Sequence, residues 1–142
     1  MSLTRTPSRP ALHPLHAILL AFPIALFTGA VLSDVTYLNS AEMQWSNFSA
    51  WLITFALVFG GPVVLWALID LIRAGNRGPA RLYLVLVAVM WVLGLVNAFK
   101  HSQDAWSSVG APGLILSILC AALALVAGWI AYSPVTAVEA AR

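Results

Sequence analysis

HPLHAILLAFPIALFTGAVLSDVTYL, residues 13–38, decides how the rest of the chain is read. From Ile18 to Leu32 its only polar side chain is Thr28, yet His13 and His16 stand at one end and Asp34 at the other. About 20 such residues cross the roughly 30 Å of bilayer hydrocarbon. In lipid the backbone must satisfy its own hydrogen bonds, so the stretch is a helix. Three more stretches of the same kind follow, and we read spans at about 15–38, 49–72, 81–100 and 112–132.

The basic residues orient these spans. Arg5 and Arg9 precede the first, Arg73, Arg77 and Arg81 lie between the second and third, and Arg142 follows the fourth. Only Lys100 falls on the other side. By the positive-inside rule both termini and the middle loop are cytoplasmic. The fold class is all-α, an antiparallel four-helix transmembrane bundle. A disordered arm covers residues 1–13, the transmembrane domain 14–133 and a cytoplasmic tail 134–142.

Composition agrees. The chain is 61% hydrophobic and 8% charged, with a mean hydropathy of +0.92. Soluble domains carry about 25% charge. The net charge of +2 and pI near 9.1 reflect the arginines that set topology, and no basic, aromatic-interleaved patch points to nucleic acid. Cys120 is the only cysteine, so no intramolecular disulfide forms. The first span resembles a signal peptide in its preceding arginines. Its apolar core is too long and lacks a small-x-small cleavage site, so it is expected to be an uncleaved anchor.

Polar and small residues mark the packing faces. Ala17, Ala21, Ala25, Gly29 and Ser33 form a small-residue ridge on span one. Beside it runs a seam of His13, His16, Leu20, Pro23, Phe27, Ala30, Asp34 and Tyr37. Span three repeats the rhythm with Tyr83, Val87, Met90, Gly94, Asn97, His101 and Asp104. Span four carries Gly113, Ser117, Ala121, Ala124 and Gly128. Lipid exposure of polar groups is unfavourable, so these faces should turn inward. Pro23 and Gly60-Gly61-Pro62 are expected to bend spans one and two, and Ala74 to Pro79 to form a turn. Tyr37, Trp45, Trp51 and Trp106 suit the outer interface, and Trp66, Tyr83, Trp129 and Tyr132 the inner one.

Two polar clusters lie at opposite faces. The inner one comprises His13, His16, Asp70 and Arg73. Asp70 and Arg73 are three apart on one helix and can pair, and Asp70 lies at the depth of His16. The outer one comprises Asp34, Asn97, His101 and Asp104, with Tyr37, Glu42 and Trp106 nearby. Each set reads in two ways. Imidazole with carboxylates binds a divalent metal or handles protons. Alternatively His13 caps a helix begun by Pro14, and Asp34 with Asn97 and His101 clamps spans one and three. One histidine with two acids is a sparse set for a transition metal. Bis-histidine haem needs two histidines at one depth on facing helices. His13 and His16 share one chain segment, and His101 would need Met43 or a second copy of the chain. No phosphate loop, nucleophile elbow or metalloprotease helix is present.

His13-Pro14-Leu15-His16, Phe22-Pro23-Ile24-Ala25 and Asp34 come first in an ordered series. Asn97 with His101, Asp104-Ala105-Trp106, Gly113-Leu114-Ile115-Leu116-Ser117 and Gly128-Trp129 complete it. Through this series the chain resembles a bacterial family of small four-span membrane proteins, domain of unknown function 2231, predicted membrane protein. Many members continue after the last span with a Leu-Val-Tyr segment and a histidine. Here Ala131-Tyr132-Ser133-Pro134 stands instead, so that histidine's role does not carry over. The resemblance implies a four-helix inner-membrane domain and no established activity.

The expected function is a non-catalytic binding or accessory module, in contact with lipid and with a larger membrane complex or a second copy. The expected cofactor is none. A redox or metal- or haem-binding protein using Asp34, His101 and Asp104, or His13, His16 and Asp70, is the alternative. A proton or small-solute conductor is a further one, set against a mid-bilayer that offers only weak groups such as Thr28, Thr54 and Cys120.

Overall fold

The computed structural model describes residues 12–74, 78–103 and 109–133. Four helices follow in order: α1 (Pro14–Ser40), α2 (Met43–Ala74), α3 (Gly78–His101) and α4 (Ala111–Tyr132). All four are long and apolar enough to cross a membrane. Each packs against two neighbours, α1 on α2 and α4, and α3 on α2 and α4. This leaves α1 and α3 on one diagonal of the bundle, running in the same direction.

Local chemistry sets the ends of α1. His13 is extended and its Nδ1 accepts from the Leu15 N–H at 3.2 Å, while Pro14 opens the first turn without an amide to satisfy. At the other end Ala41 adopts φ 57° and its N–H reaches the Tyr37 carbonyl at 2.7 Å. Left-handed backbone is unusual outside glycine. Here it lets α2 start with only two residues between it and the end of α1, which makes the two antiparallel neighbours. Gly78 and Pro79, expected in a turn, instead form the first turn of α3, where proline is tolerated. Helix α2 begins at Met43, a turn and a half before the apolar stretch at Ser49. Both α1 and α2 continue unbroken through Pro23 and Pro62.

Burial follows the seams read from sequence. On α1 the buried residues include His16, Leu20, Pro23, Phe27, Ala30 and Asp34, and on α3 they are Tyr83, Val87, Met90, Gly94, Asn97 and His101. Hydrogen bonds join His16 to Tyr83 and Asp34 to His101, each pair 67 positions apart. That interval also aligns Phe27 with Gly94, whose bare Cα leaves room for the phenyl ring. It aligns the remaining three members of each seam as well. Two parallel helices with equal rise per residue keep one register along their length, so the seams meet as six layers across the bundle axis.

The small ridge of α1 does not face the core as expected. Ala21 and Ala25 are exposed, whereas Ser33 is buried and Gly29 lies against the Leu52 side chain. A strict four-residue step advances about 40° beyond a full turn, so the ridge winds off the packed side. Alternating threes and fours stay on it. The ridge of α4 is buried at every position, Gly113, Ser117, Ala121, Ala124 and Gly128. Outward faces are apolar, with Ile18, Leu32, Val58, Leu65 and Phe99 exposed, a surface suited to lipid.

Gly60 and Gly61 lie beside the Trp91 indole. A Cβ on Gly60 would sit 3.4 Å from Trp91 Cδ1, and one on Gly61 3.7 Å from Trp91 Nε1. A methyl group would make ordinary contact there, and only a larger side chain would crowd the indole, whose Nε1 donates to the Leu57 carbonyl at 3.0 Å. Gly60→Val is expected to displace the ring, shift the tryptophan emission and remove about 1 kcal/mol with the lost bond. An emission spectrum and unfolding midpoint equal to wild type would refute this placement.

Candidate functional site

Near the α3 C-terminus one buried polar cluster draws a residue from every helix. Asp34 on α1 is fully buried. Its Oδ1 meets His101 Nε2 at 3.0 Å, and its Oδ2 accepts from Ser117 Oγ of α4 at 2.6 Å. Ser117 in turn accepts from Asn97 Nδ2 at 2.9 Å. The His101 ring turns back on its own helix, where Nδ1 lies 2.9 Å from the Asn97 carbonyl. Ser49 of α2 donates to the Ala30 carbonyl at 3.4 Å and lies 3.4 Å from His101 Nε2.

The hydrogens can be assigned by what each acceptor demands. The Asn97 carbonyl only accepts, so His101 Nδ1 carries a proton. Asp34 Oδ2 receives the Ser117 hydroxyl. One hydrogen then remains between Nε2 and Oδ1, whichever atom holds it, and the pair has no net charge. A neutral pair avoids the cost of an uncompensated buried ion. His101–Asp34 is the one ion pair among the described residues.

Asp104, expected beside these groups, lies outside the described residues, as does Trp106. Glu42 is exposed, and Tyr37 donates to Met43 Sδ at 3.8 Å. Sequence reasoning missed the polar roles of Ser49 and Ser117, the latter counted only as a small residue. The available signal was depth: Asp34, Ser49 and Ser117 each stand six residues inside a helix end on the same face of the membrane.

The opposite end of the diagonal is organised differently from the expectation. His16 is buried and pairs with Tyr83, Nε2 to hydroxyl at 2.7 Å. Tyr83 therefore points into the bundle and not toward the interface. Trp66 packs against both histidines, with ring centroids 5.2 Å from His13 and 5.4 Å from His16. Asp70 is exposed, with neither the expected ion pair to Arg73 nor a hydrogen bond to His16. Position explains this: Asp70 lies on the turn beyond the buried Ala67, in the exposed last turns of α2. Tyr83→Phe leaves His16 without a protein partner and should destabilise the bundle by about 1–3 kcal/mol. Adding His16→Leu should restore part of the loss; thermal unfolding in detergent measures both.

Among the described residues no three His, Cys, Asp or Glu side chains converge as a metal site. Two of the three proposed outer ligands, Asp34 and His101, already bond protein groups. The family described as "Predicted membrane protein (DUF2231)" matches residues 12–135. The chain belongs to this family. The match spans all four helices and both polar ends of the diagonal, so the resemblance carried by the His-Pro-Leu-His, Asp34 and Asn97/His101 motifs extends over the whole bundle. No curated protein and no solved structure matches the chain.

Proposed function

We propose that this member of the predicted membrane protein family is a binding or accessory module of a bacterial inner membrane. The reading places its termini on the cytoplasmic side and gives it no catalytic role. One observation carries it: both oxygens of Asp34 and both ring nitrogens of His101 are engaged by protein groups. These side chains thereby join α1, α3 and α4 and leave no ring nitrogen or carboxylate oxygen free for a ligand. What remains for recognition is the exterior, apolar along the spans. An open hollow of about 460 Å³ near the start of α2, lined by Gln44, Trp45, Asn47, Phe48 and Trp51, belongs to that exterior. Rings with amides at a membrane surface suit contact with lipid headgroups or a neighbouring membrane protein.

Site-directed photo-crosslinking from positions 47 and 51 in native membranes tests the reading. An adduct of one defined mass is expected, lost when the crosslinker is moved to Ile18 on α1. The purified protein should show no visible absorption band and no stoichiometric metal. A Soret band, or one metal per chain lost in His101→Ala, would overturn it in favour of a redox or metal-binding protein. The orientation has its own test. Cysteines placed at positions 5 and 103 should react with an impermeant thiol reagent from opposite sides of the membrane.

A further inference from the structure

We propose that the Asp34–His101 site binds protons, taking up a second one by reversing the hydrogen-bond chain that runs from Asn97 through Ser117 to Asp34. The observation behind this is an unused acceptor. Asn97 is fully buried, yet its Oδ1 has no hydrogen-bond partner while its Nδ2 donates to Ser117. An amide presents donor and acceptor at interchangeable positions, and a hydroxyl both gives and receives. Each link of the chain therefore works in either direction.

In the present arrangement Asn97 donates to Ser117 and Ser117 to Asp34, which serves a carboxylate. Add one proton from the aqueous phase to Asp34 Oδ2, forming one O–H bond. Asp34 then donates to Ser117, whose hydroxyl turns to the Asn97 amide. A half-turn of that amide brings Oδ1 into place as the acceptor. His101 keeps its proton on Nε2 against Oδ1 and its Nδ1–H on the Asn97 carbonyl. No hydrogen bond of the set is lost, and its charge rises by one. A carboxylate surrounded only by fixed donors would have to forfeit a bond on protonation.

The surroundings assign the titration to the pair. On α2 the facing group is Ser49, which is neutral. On α4 it is Ser117, with the thiol of Cys120 a turn further along and directed to the Met90 carbonyl. On α3 the ammonium of Lys100 turns to Gln103 at 3.2 Å. Nothing else charged faces Asp34 among the described residues. His101 is the last residue of α3, and Ser102 and Gln103 after it are exposed. The side chains of the pair are themselves fully enclosed just inside that exposed end, so the added charge is held by the hydrogen bonds of the set.

The test is infrared difference spectroscopy on the full chain in phosphatidylcholine vesicles, titrated from about pH 8 to about pH 5. A carboxylic-acid carbonyl band should grow with acidification and be absent in Asp34→Asn. Its midpoint should rise in Ser117→Ala, which takes from the carboxylate a hydroxyl donor at 2.6 Å. Should that variant not fold, the wild-type protein still decides the matter. Solid-state NMR of labelled asparagine should show the Asn97 amide shifting along the same titration curve. A wild-type protein without the band overturns the proposal. So does a midpoint unmoved by Ser117→Ala, or an Asn97 amide indifferent to pH.

Discussion

Asp34→Ala is expected to lower the unfolding free energy by about 3 kcal/mol. The alanine removes the acceptor for two donors at once, His101 Nε2 at 3.0 Å and Ser117 Oγ at 2.6 Å. His101 Nε2 is then left buried without its hydrogen-bond partner. His101→Ala should destabilise less, because Asp34 can take a proton and keep Ser117. The two substitutions together should cost less than their sum, with a coupling of about 0.5–2 kcal/mol. Thermal or denaturant unfolding in one detergent, run on wild type and three variants, closes the cycle. Additive losses would mean the pair contributes nothing as a pair.

The second large effect is steric. Gly94→Val is expected to destabilise by about 1–3 kcal/mol through overpacking. Even a Cβ alone would stand 2.8 Å from Phe27 Cζ and 3.0 Å from Leu57 Cδ2. Phe27 is fully buried in the middle of α1 and cannot swing toward lipid without losing its core contacts. Phe27→Leu should rescue Gly94→Val while being harmful alone, since each change returns the volume the other takes. Failure of rescue would show that Leu57, not Phe27, is the obstacle. Gly128→Ala is a useful contrast. Its nearest neighbour, Ile24 Cδ1 at 2.6 Å, is the far end of a flexible side chain and can move.

Much of this arrangement is legible in the sequence because lipid imposes simple rules. Uncharged runs of spanning length announce the four helices, and the alternating three-four rhythm of His16 to Asp34 and Tyr83 to His101 names the buried diagonal. Depth alone brings Asp34 and His101 to one level. Partner choice was harder to read. Ser117 passed as a spacer because a serine is small and polar at once, and only the contact with Asp34 reveals which property counts. For His16 depth suggested Asp70, and the hydrogen bond runs to Tyr83 instead. Sequence periodicity cannot tell a residue that points across the bundle from one a turn further out, in the exposed last turns of α2. The ridge from Ala17 to Ser33 failed for a geometric reason, the slow rotation of a four-residue repeat around the helix.

The fixed interval of 67 between α1 and α3 bears on how such a chain can change length. Deleting one residue between Leu20 and Phe27 would rotate everything beyond it by about 100°. Phe27 would leave its glycine, and Asp34 would swing away from His101, while His16 and Tyr83 stayed joined. A matching deletion in α3 between Val87 and Gly94 would bring the partners back into step. Insertions and deletions inside these two helices should therefore be tolerated only as compensating pairs, and lone ones only in the connections outside them.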